Sequence, residues 1–352
     1  MVAARAAALR IGRVPALRGW LPLALVGALT VGIGAYTQSR SSDFLTQYNL
    51  NSLLLSALPL ALLAMGQVNA LLVGAFDISV GALMTMCVVV ASFTMTEGQA
   101  WYTLLPGAIA LVGIGAVVGL VNSTLVRVIK LPSIIATLAT LSVLQGLALE
   151  QRPVPGGSID SGVTSALEAR VSFLPYAFIG TVVLAVLWDL WLYRTSAGLT
   201  MRAVGFDEVS AKRLGVRSEL VLWAALVTTS LMAAVGAFFW AVQQGVGDGN
   251  PSTGTNFTLQ SIAAAVLGGA SLAGGRGSFV GAVLGAVFLS LVVNMQPFVG
   301  WQDSTIQIII GALLLLALVL YQGGELRARL LALWSDLRRR RASAPAPAGT
   351  TT

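Results

Sequence analysis

The feature that most constrains this chain is a succession of uninterrupted apolar runs, each near the length that crosses a lipid bilayer. A hydrocarbon core is roughly 30 Å thick and takes roughly 20 helical residues to span. Such runs lie near residues 20–36, 50–74, 81–95, 102–125, 133–149, 173–192, 220–242, 259–273, 279–294 and 304–321. Inside lipid only helices and closed barrels satisfy the backbone, and these runs are continuous rather than alternating. Composition agrees: charged residues make up 10% of the 352 positions, against roughly 25% in a soluble domain. The expected fold is all-α, a polytopic transmembrane bundle of about ten spans. The third, fifth and eighth runs are short, and short, glycine-interrupted segments mark broken or re-entrant helices. Such breaks are expected near 74–81 and 259–277.

The basic residues supply an independent test of this map. With the N-terminus inside, 18 of the 21 Lys and Arg residues fall on the cytoplasmic side and only Arg40, Arg152 and Arg170 fall outside. That bias matches the positive-inside rule. It predicts cytoplasmic termini, external connections at 150–172 (with a short helix near 165–170) and 243–258, and an internal connection at 193–219. Three regions follow: a basic N-terminus over 1–19, a membrane domain over 20–321, and a basic, disordered tail over 322–352. The net charge of +7 is thereby assigned to topology and contact with anionic lipid, not to nucleic acid. The first span is expected to be retained rather than cleaved as a signal peptide. With one cysteine, Cys87, and no histidine, no disulfide framework or thiolate metal site is available.

Three segments carry chemistry. In Gly74-Ala75-Phe76-Asp77-Ile78-Ser79-Val80-Gly81 an aspartate sits between two apolar runs, where a charge costs roughly 2.5–3.5 kcal/mol at a helix centre. Two readings fit: Asp77 caps a helix beginning at Ile78 near the cytoplasmic face, or it lines a polar path. The second segment, Leu267 to Gly277, is rich in small residues that allow close backbone packing, and its Gly274–Gly277 run reads as a turn. No Gly-x4-Gly-Lys-Ser/Thr pattern occurs in the chain, so ATP binding is not expected here. The third, Gly205 to Val216, reads as a short helix. Asp207 and Glu208 at its start and Lys212 and Arg213 at its end complement the helix dipole, Glu208 and Lys212 can pair at i,i+4, and Gly215 is a natural stop. It is either a docking helix for a partner or an ordinary solvated connection.

These segments resemble the permease subunits of ABC importers for monosaccharides, the ribose/xylose/galactoside type. Phe76 to Gly81 resembles that family's Gly-x-Asp-Leu-Ser-Val-Gly element, with Phe for Gly. Pro132-Ser133-Ile134-Ile135-Ala136-Thr137-Leu138 resembles its Pro-Phe-Ile-x-Thr-Leu element. Gly205 to Val216 resembles its cytoplasmic loop. The stretch from Pro251 through Gly254, Leu259 and Ile262 to Gly275 resembles its longest motif. The chain departs from the family at Thr258 and Gln260, where acidic residues are common, and at Asn122-Ser123, where Asn-Gly is common. These departures put the usual substrate in question and suit one half of a heterodimeric pair.

The resemblance implies a second permease chain (identical or not), cytoplasmic ABC ATPase subunits that bind the ATP and Mg, and an extracytoplasmic solute-binding protein. It implies a bacterial inner-membrane location and no cofactor in this chain. Gly205, Asp207, Glu208, Ala211, Arg213 and Gly215 become the candidate ATPase-coupling residues. Asp77, Ser79, Asn122, Thr137, Asn256, Gln260 and Ser271 become the candidate translocation path for a sugar or similar small polar solute. One rival is a secondary transporter, for which only Asp77 and Asp189 are candidate coupling groups. The other is a membrane enzyme, which would lack histidine, a cysteine pair and clustered carboxylates.

Overall fold

The computed structural model describes residues 17–98, 101–167, 169–302, 304–313 and 315. The helices are α1 (Leu17–Arg40), α2 (Gln47–Leu72), α3 (Val80–Thr94), α4 (Trp101–Arg127), α5 (Ser133–Gln151), α6 (Ser161–Leu167), α7 (Tyr176–Arg194), α8 (Ser196–Phe206), α9 (Glu208–Arg213), α10 (Ser218–Gln244), α11 (Pro251–Leu267), α12 (Phe279–Asn294), α13 (Gln296–Val299) and α14 (Ser304–Leu313). A two-residue hairpin, β1 (Arg170–Val171) with β2 (Leu174–Pro175), is the sheet structure among the described residues.

Every predicted apolar run is helical over most of its described length, and among the described residues six helices are long and apolar enough to cross a membrane by length and composition. Burial ranks them. The spanning window of α2 is 89% buried, whereas that of α7 is 22% buried. A helix apolar all round belongs inside a bundle or in lipid; α2 is therefore the central post and α7 a peripheral helix. One core cluster gathers Met65, Val68 and Leu72 of α2 with Phe279 and Phe288 of α12. A second gathers Leu63 with Leu83, Met84 and Cys87 of α3 and Ala233, Ala234 and Ala237 of α10.

Three expectations need correction. The connection at 243–258 is at least half helical: α11 begins at Pro251, with Asn250 as N-cap accepting from Ser252 N. The same Asn-Pro pair that signals a turn also starts a helix, because proline suits the first helical position. The short helix expected near 165–170 lies at Ser161–Leu167, and the chain then turns into β1. The connection at 193–219 holds two helices, α8 and α9, rather than one. The basic tail over 322–352 and residues 1–16 lie outside the described residues, and residues 17–19 already belong to α1.

Candidate functional site

The break between α2 and α3 is a largely buried, non-helical stretch from Val73 to Ser79, in which the exposed Gly74 takes φ +72°. Backbone groups at that depth must find partners in protein, and side chains from α2, α5 and α11 supply them. Phe76 N donates to Ser133 Oγ at 3.1 Å and Ile78 N to Thr137 Oγ1 at 3.1 Å, both hydroxyls from α5. From α11, Thr258 Oγ1 accepts from Gly81 N at 3.1 Å and lies 3.2 Å from Ile78 O. Gln67 Nε2 of α2 donates to Asp77 O at 2.6 Å. At Gly81 a Cβ would collide with the Gly254 carbonyl oxygen of α11; the two helices touch backbone to backbone, and glycine is what permits it.

Asp77 is fully buried. Its Oδ1 accepts from Ser79 N at 2.9 Å and Ser79 Oγ at 2.6 Å. The capping expectation is thus half right. The helix begins at Val80, not Ile78, and its N-cap is Ser79; Asp77 fixes that residue from two positions upstream, and it is sealed in the bundle rather than placed at a water-facing end. Asp77 Oδ2 and Ser230 Oγ have no partner at full hydrogen-bond geometry, but Ser230 of α10 and Asn122 of α4 both lie close enough to act on the carboxyl. The polar chain continues outward: Asn122 Nδ2 donates to Ser79 Oγ at 2.9 Å, and Thr140 Oγ1 donates to Asn122 Oδ1 at 2.7 Å.

The structure therefore brings Asp77, Ser79, Asn122 and Thr137 together and does not bring the other three candidates to them. Asn256 is exposed and Gln260 half-buried on α11. Ser271 shapes the 268–278 turn, its Oγ accepting from Ala273 N at 3.2 Å. Sequence reasoning missed Gln67, Thr140 and Ser230, and named Thr258 only as a departure. Asp189 is also reassigned. Its oxygens accept from Ser278 Oγ at 2.8 Å, Phe279 N at 2.8 Å and Val280 N at 3.1 Å, so it caps α12 from a neighbouring helix and is not a free coupling group.

The second site lies at one end of the bundle. Asp207 ends α8 and caps α9, its Oδ1 accepting from Val209 N and Ser210 N. Gly215 takes φ +84° just past the helix, as a stop requires. Gly205 presses on the Leu72 carbonyl, where a Cβ has no room, and Gly275 N donates to that same carbonyl at 2.9 Å. The three glycine-bearing segments that the sequence singled out thus adjoin one another. Ala211 is buried, while Arg213 is exposed and makes no ion pair among the described residues. Arg127, at the end of α4, lies 2.8 Å from Glu208 and 3.4 Å from Glu219; Lys212 lies 3.1 Å and 2.9 Å from the same two carboxylates. Hydrogen bonding by the Ser210 hydroxyl holds Asp207 below its ordinary range. Partial burial raises the Glu208 carboxyl, but Arg127 and Lys212 outweigh it and the net shift is downward.

A bundle of apolar helices interrupted at a buried, hydroxyl-lined break, with a charge-laced helix pair at one end, defines a polytopic membrane transport protein. Residues 49–318 match the family described as "Branched-chain amino acid transport system / permease component", and the chain belongs to it. It is 35% identical over 308 residues to the autoinducer 2 import system permease protein LsrC of Salmonella paratyphi B, covering 85% of this chain and 84% of that one. It is 34% identical over 289 residues to the LsrC proteins of Escherichia coli and of Shigella flexneri, covering 80% of this chain and 81% of each relative. No solved structure matches. The chain is a permease subunit of an ABC importer of the monosaccharide type in the inner membrane, a class that works with ATPase and solute-binding partners.

Proposed function

We propose that this chain forms half of the translocation path for autoinducer 2 or a closely similar small, polyhydroxylated solute, paired with a second permease chain. The similarity to LsrC over 85% of the chain carries the solute class. The path runs along the face shared by α5 and α11, where Asn256 and Thr255 are exposed and Gln145 Nε2 reaches Thr255 Oγ1 at 3.1 Å. Gln260 and Ser271 belong to the same side of the path. Asp77, Ser79, Asn122 and Thr137 organise the adjoining break. Neutral hydroxyl and amide groups suit a neutral polyol, whose binding needs hydrogen bonds more than a fixed charge.

The α8–α9 pair docks on the ATPase. Val209 is 60% exposed and Leu214 84% exposed; exposed apolar side chains on an extramembrane segment mark a protein contact. Gly205, Asp207, Glu208, Ala211, Arg213 and Gly215 shape and charge that segment. Both termini and this segment are cytoplasmic. In a Cys87→Ser background, a membrane-impermeant thiol reagent added outside intact cells should label Val154→Cys and spare Leu214→Cys; the reverse pattern would invert the map. The solute assignment is tested by uptake of labelled autoinducer 2 in vesicles holding the complete importer and its binding protein. Competition by excess unlabelled autoinducer 2 but not by leucine is expected. Competition by leucine alone would move the chain to the amino-acid side of the family.

A further inference from the structure

Two backbone N–H groups suit the last carbonyl of α2. In a helix that ran on through the break, Leu72 O would accept from Phe76 N, four residues later. The break parts them. Phe76 N donates instead to Ser133 Oγ of α5 at 3.1 Å, and Leu72 O accepts from Gly275 N, in the turn between α11 and α12, at 2.9 Å. Each half of one helical hydrogen bond is thus satisfied by a different outside element, as buried backbone groups require. Gly74 makes the bend at φ +72°, and a Cβ there would meet open space. Glycine takes the helical φ as readily as the positive one, so the same residue also permits the helix to run on.

The turn that supplies Gly275 is gripped by α8. Gly205, on the last turn of α8, lies against both the Leu72 carbonyl and Gly275 N, and a Cβ on Gly274 would run into the Gly205 carbonyl. The exposed ring of Phe206 covers Gly275, and the guanidinium of the exposed Arg276 lies over that ring, its carbon 5.5 Å from the centroid. Farther along, the Tyr193 hydroxyl of α7 donates to Gly277 O at 2.7 Å, and Asp189 holds the α12 N-terminus. One end of the turn is therefore anchored on α7 and α12, while its middle follows α8. Moving α8 and α9 moves the donor away from Leu72.

We propose that the Leu72 carbonyl is a switch point between the ATPase-coupling segment and the break. With α8 in place, Leu72 O bonds Gly275 N and the break stays unwound. When the coupling segment shifts on ATP binding, Gly275 withdraws, Leu72 O takes Phe76 N, and α2 winds on through Gly74, drawing Phe76 off Ser133. One backbone hydrogen bond replaces another, so the two arrangements stay close in free energy, as a bistable element requires. Gly205, Phe206, Gly275 and Arg276 are positioning residues in this relay, which is separate from the charge ring around Arg127. It rests on the reading that the α8–α9 pair docks on the ATPase.

The complete importer with Cys87→Ser and Ile78→Cys tests it, because Ile78 is half-buried within the break and a small thiol reagent reads its access. A non-hydrolysable ATP analogue should change the labelling rate by about threefold or more, since labelling follows the populations of the two arrangements. Gly74→Ala disfavours the positive φ without a clash. It should carry the rate without nucleotide at least halfway to the ATP-bound value. Phe206→Ala, a surface change, loosens the grip on Gly275 and should move the rate the same way. Crosslinking of Leu214→Cys to the ATPase, in a separate Cys87→Ser chain, checks docking alongside. No crosslink in that chain would refute the docking reading, and the switch with it. With the crosslink present, a rate in Gly74→Ala that equals the parent's, or that moves away from the ATP-bound value, would overturn the switch alone.

Discussion

Arg127 Nη1, on the last turn of α4, lies 2.8 Å from Glu208 Oε1 at the start of α9. The pair ties α4 to the proposed ATPase-coupling segment 81 residues later in the chain. Lys212 and Glu219 close the remaining sides of a four-charge ring, which joins α4, α9 and α10. Rigid charge networks of this kind transmit displacement, because moving α9 alone would break several pairs at once.

Reversing one member should therefore uncouple the machine without unfolding it. Glu208→Arg sets three cations together and faces the wrong end of the α9 dipole. ATPase stimulation by the binding protein should fall at least fivefold with normal membrane insertion. Glu208→Gln should cost only about 0.5–1 kcal/mol, since the pair is partly exposed and screened. Parental transport by the Glu208→Arg complex would refute the coupling role.

The ring and the neighbouring cap residue Asp207 together fix a pH window. Asp207 and Glu208 sit below their ordinary values of 3.8 and 4.5, so their stabilisation is present above those values and lost as pH falls through the lower folded ones. Lys212 is raised above 10.5 by Glu219 and then Glu208, so its contribution is full below 10.5 and lost as pH rises through the folded value. Anisotropy of a probe at Leu214→Cys should be flat between about pH 5 and pH 10 and drop on either side. The chain has no histidine, so a transition centred near pH 6.5 would contradict this assignment.

At the break, Thr258 Oγ1 accepts from Gly81 N, and its one proton lies between the carbonyls of Gly254 and Ile78. Thr258→Val keeps the shape but strands Gly81 N–H, and should destabilise by about 1–3 kcal/mol. Thr258→Ser keeps the hydroxyl and should lose less than half of that. Equal thermal midpoints for Thr258→Val and the parent would show that the break is held otherwise.

Asp77 separates organisation from charge. Asn retains an oxygen for Ser79 N–H and Oγ–H, and its amide can donate to the nearby Ser230 Oγ. Asp77→Asn should match or exceed the parent in thermal stability and keep uptake. Asp77→Ala should lose about 1–3 kcal/mol. Uptake abolished in a stable, assembled Asp77→Asn variant would assign the charge a direct part in transport.

The sequence made legible whatever is decided locally. Apolar runs located the helices because lipid demands them, and Gly74, Asp77 and Gly81 marked the break. Asp207 and Gly215 marked the ends of α9. What escaped was non-local. Thr258 meets Gly81 across 177 residues and Arg127 meets Glu208 across 81, and nothing in either neighbourhood announces the partner. Asp189 read as a lone membrane carboxylate because the α12 N-terminus that it caps lies 90 residues away. At Asn250-Pro251 the local signal was present but ambiguous, since turn and helix start use the same chemistry.

The central claim is that this permease moves its solute on ATP hydrolysis by a separate subunit. Uptake of labelled autoinducer 2 into vesicles holding the complete importer tests it most directly, with ATP inside and binding protein outside. Uptake should require both, stop when the ATPase's catalytic carboxylate is replaced by its amide, and ignore ionophores that collapse proton and sodium gradients. Uptake that persists with the disabled ATPase and vanishes with the ionophores would contradict the account.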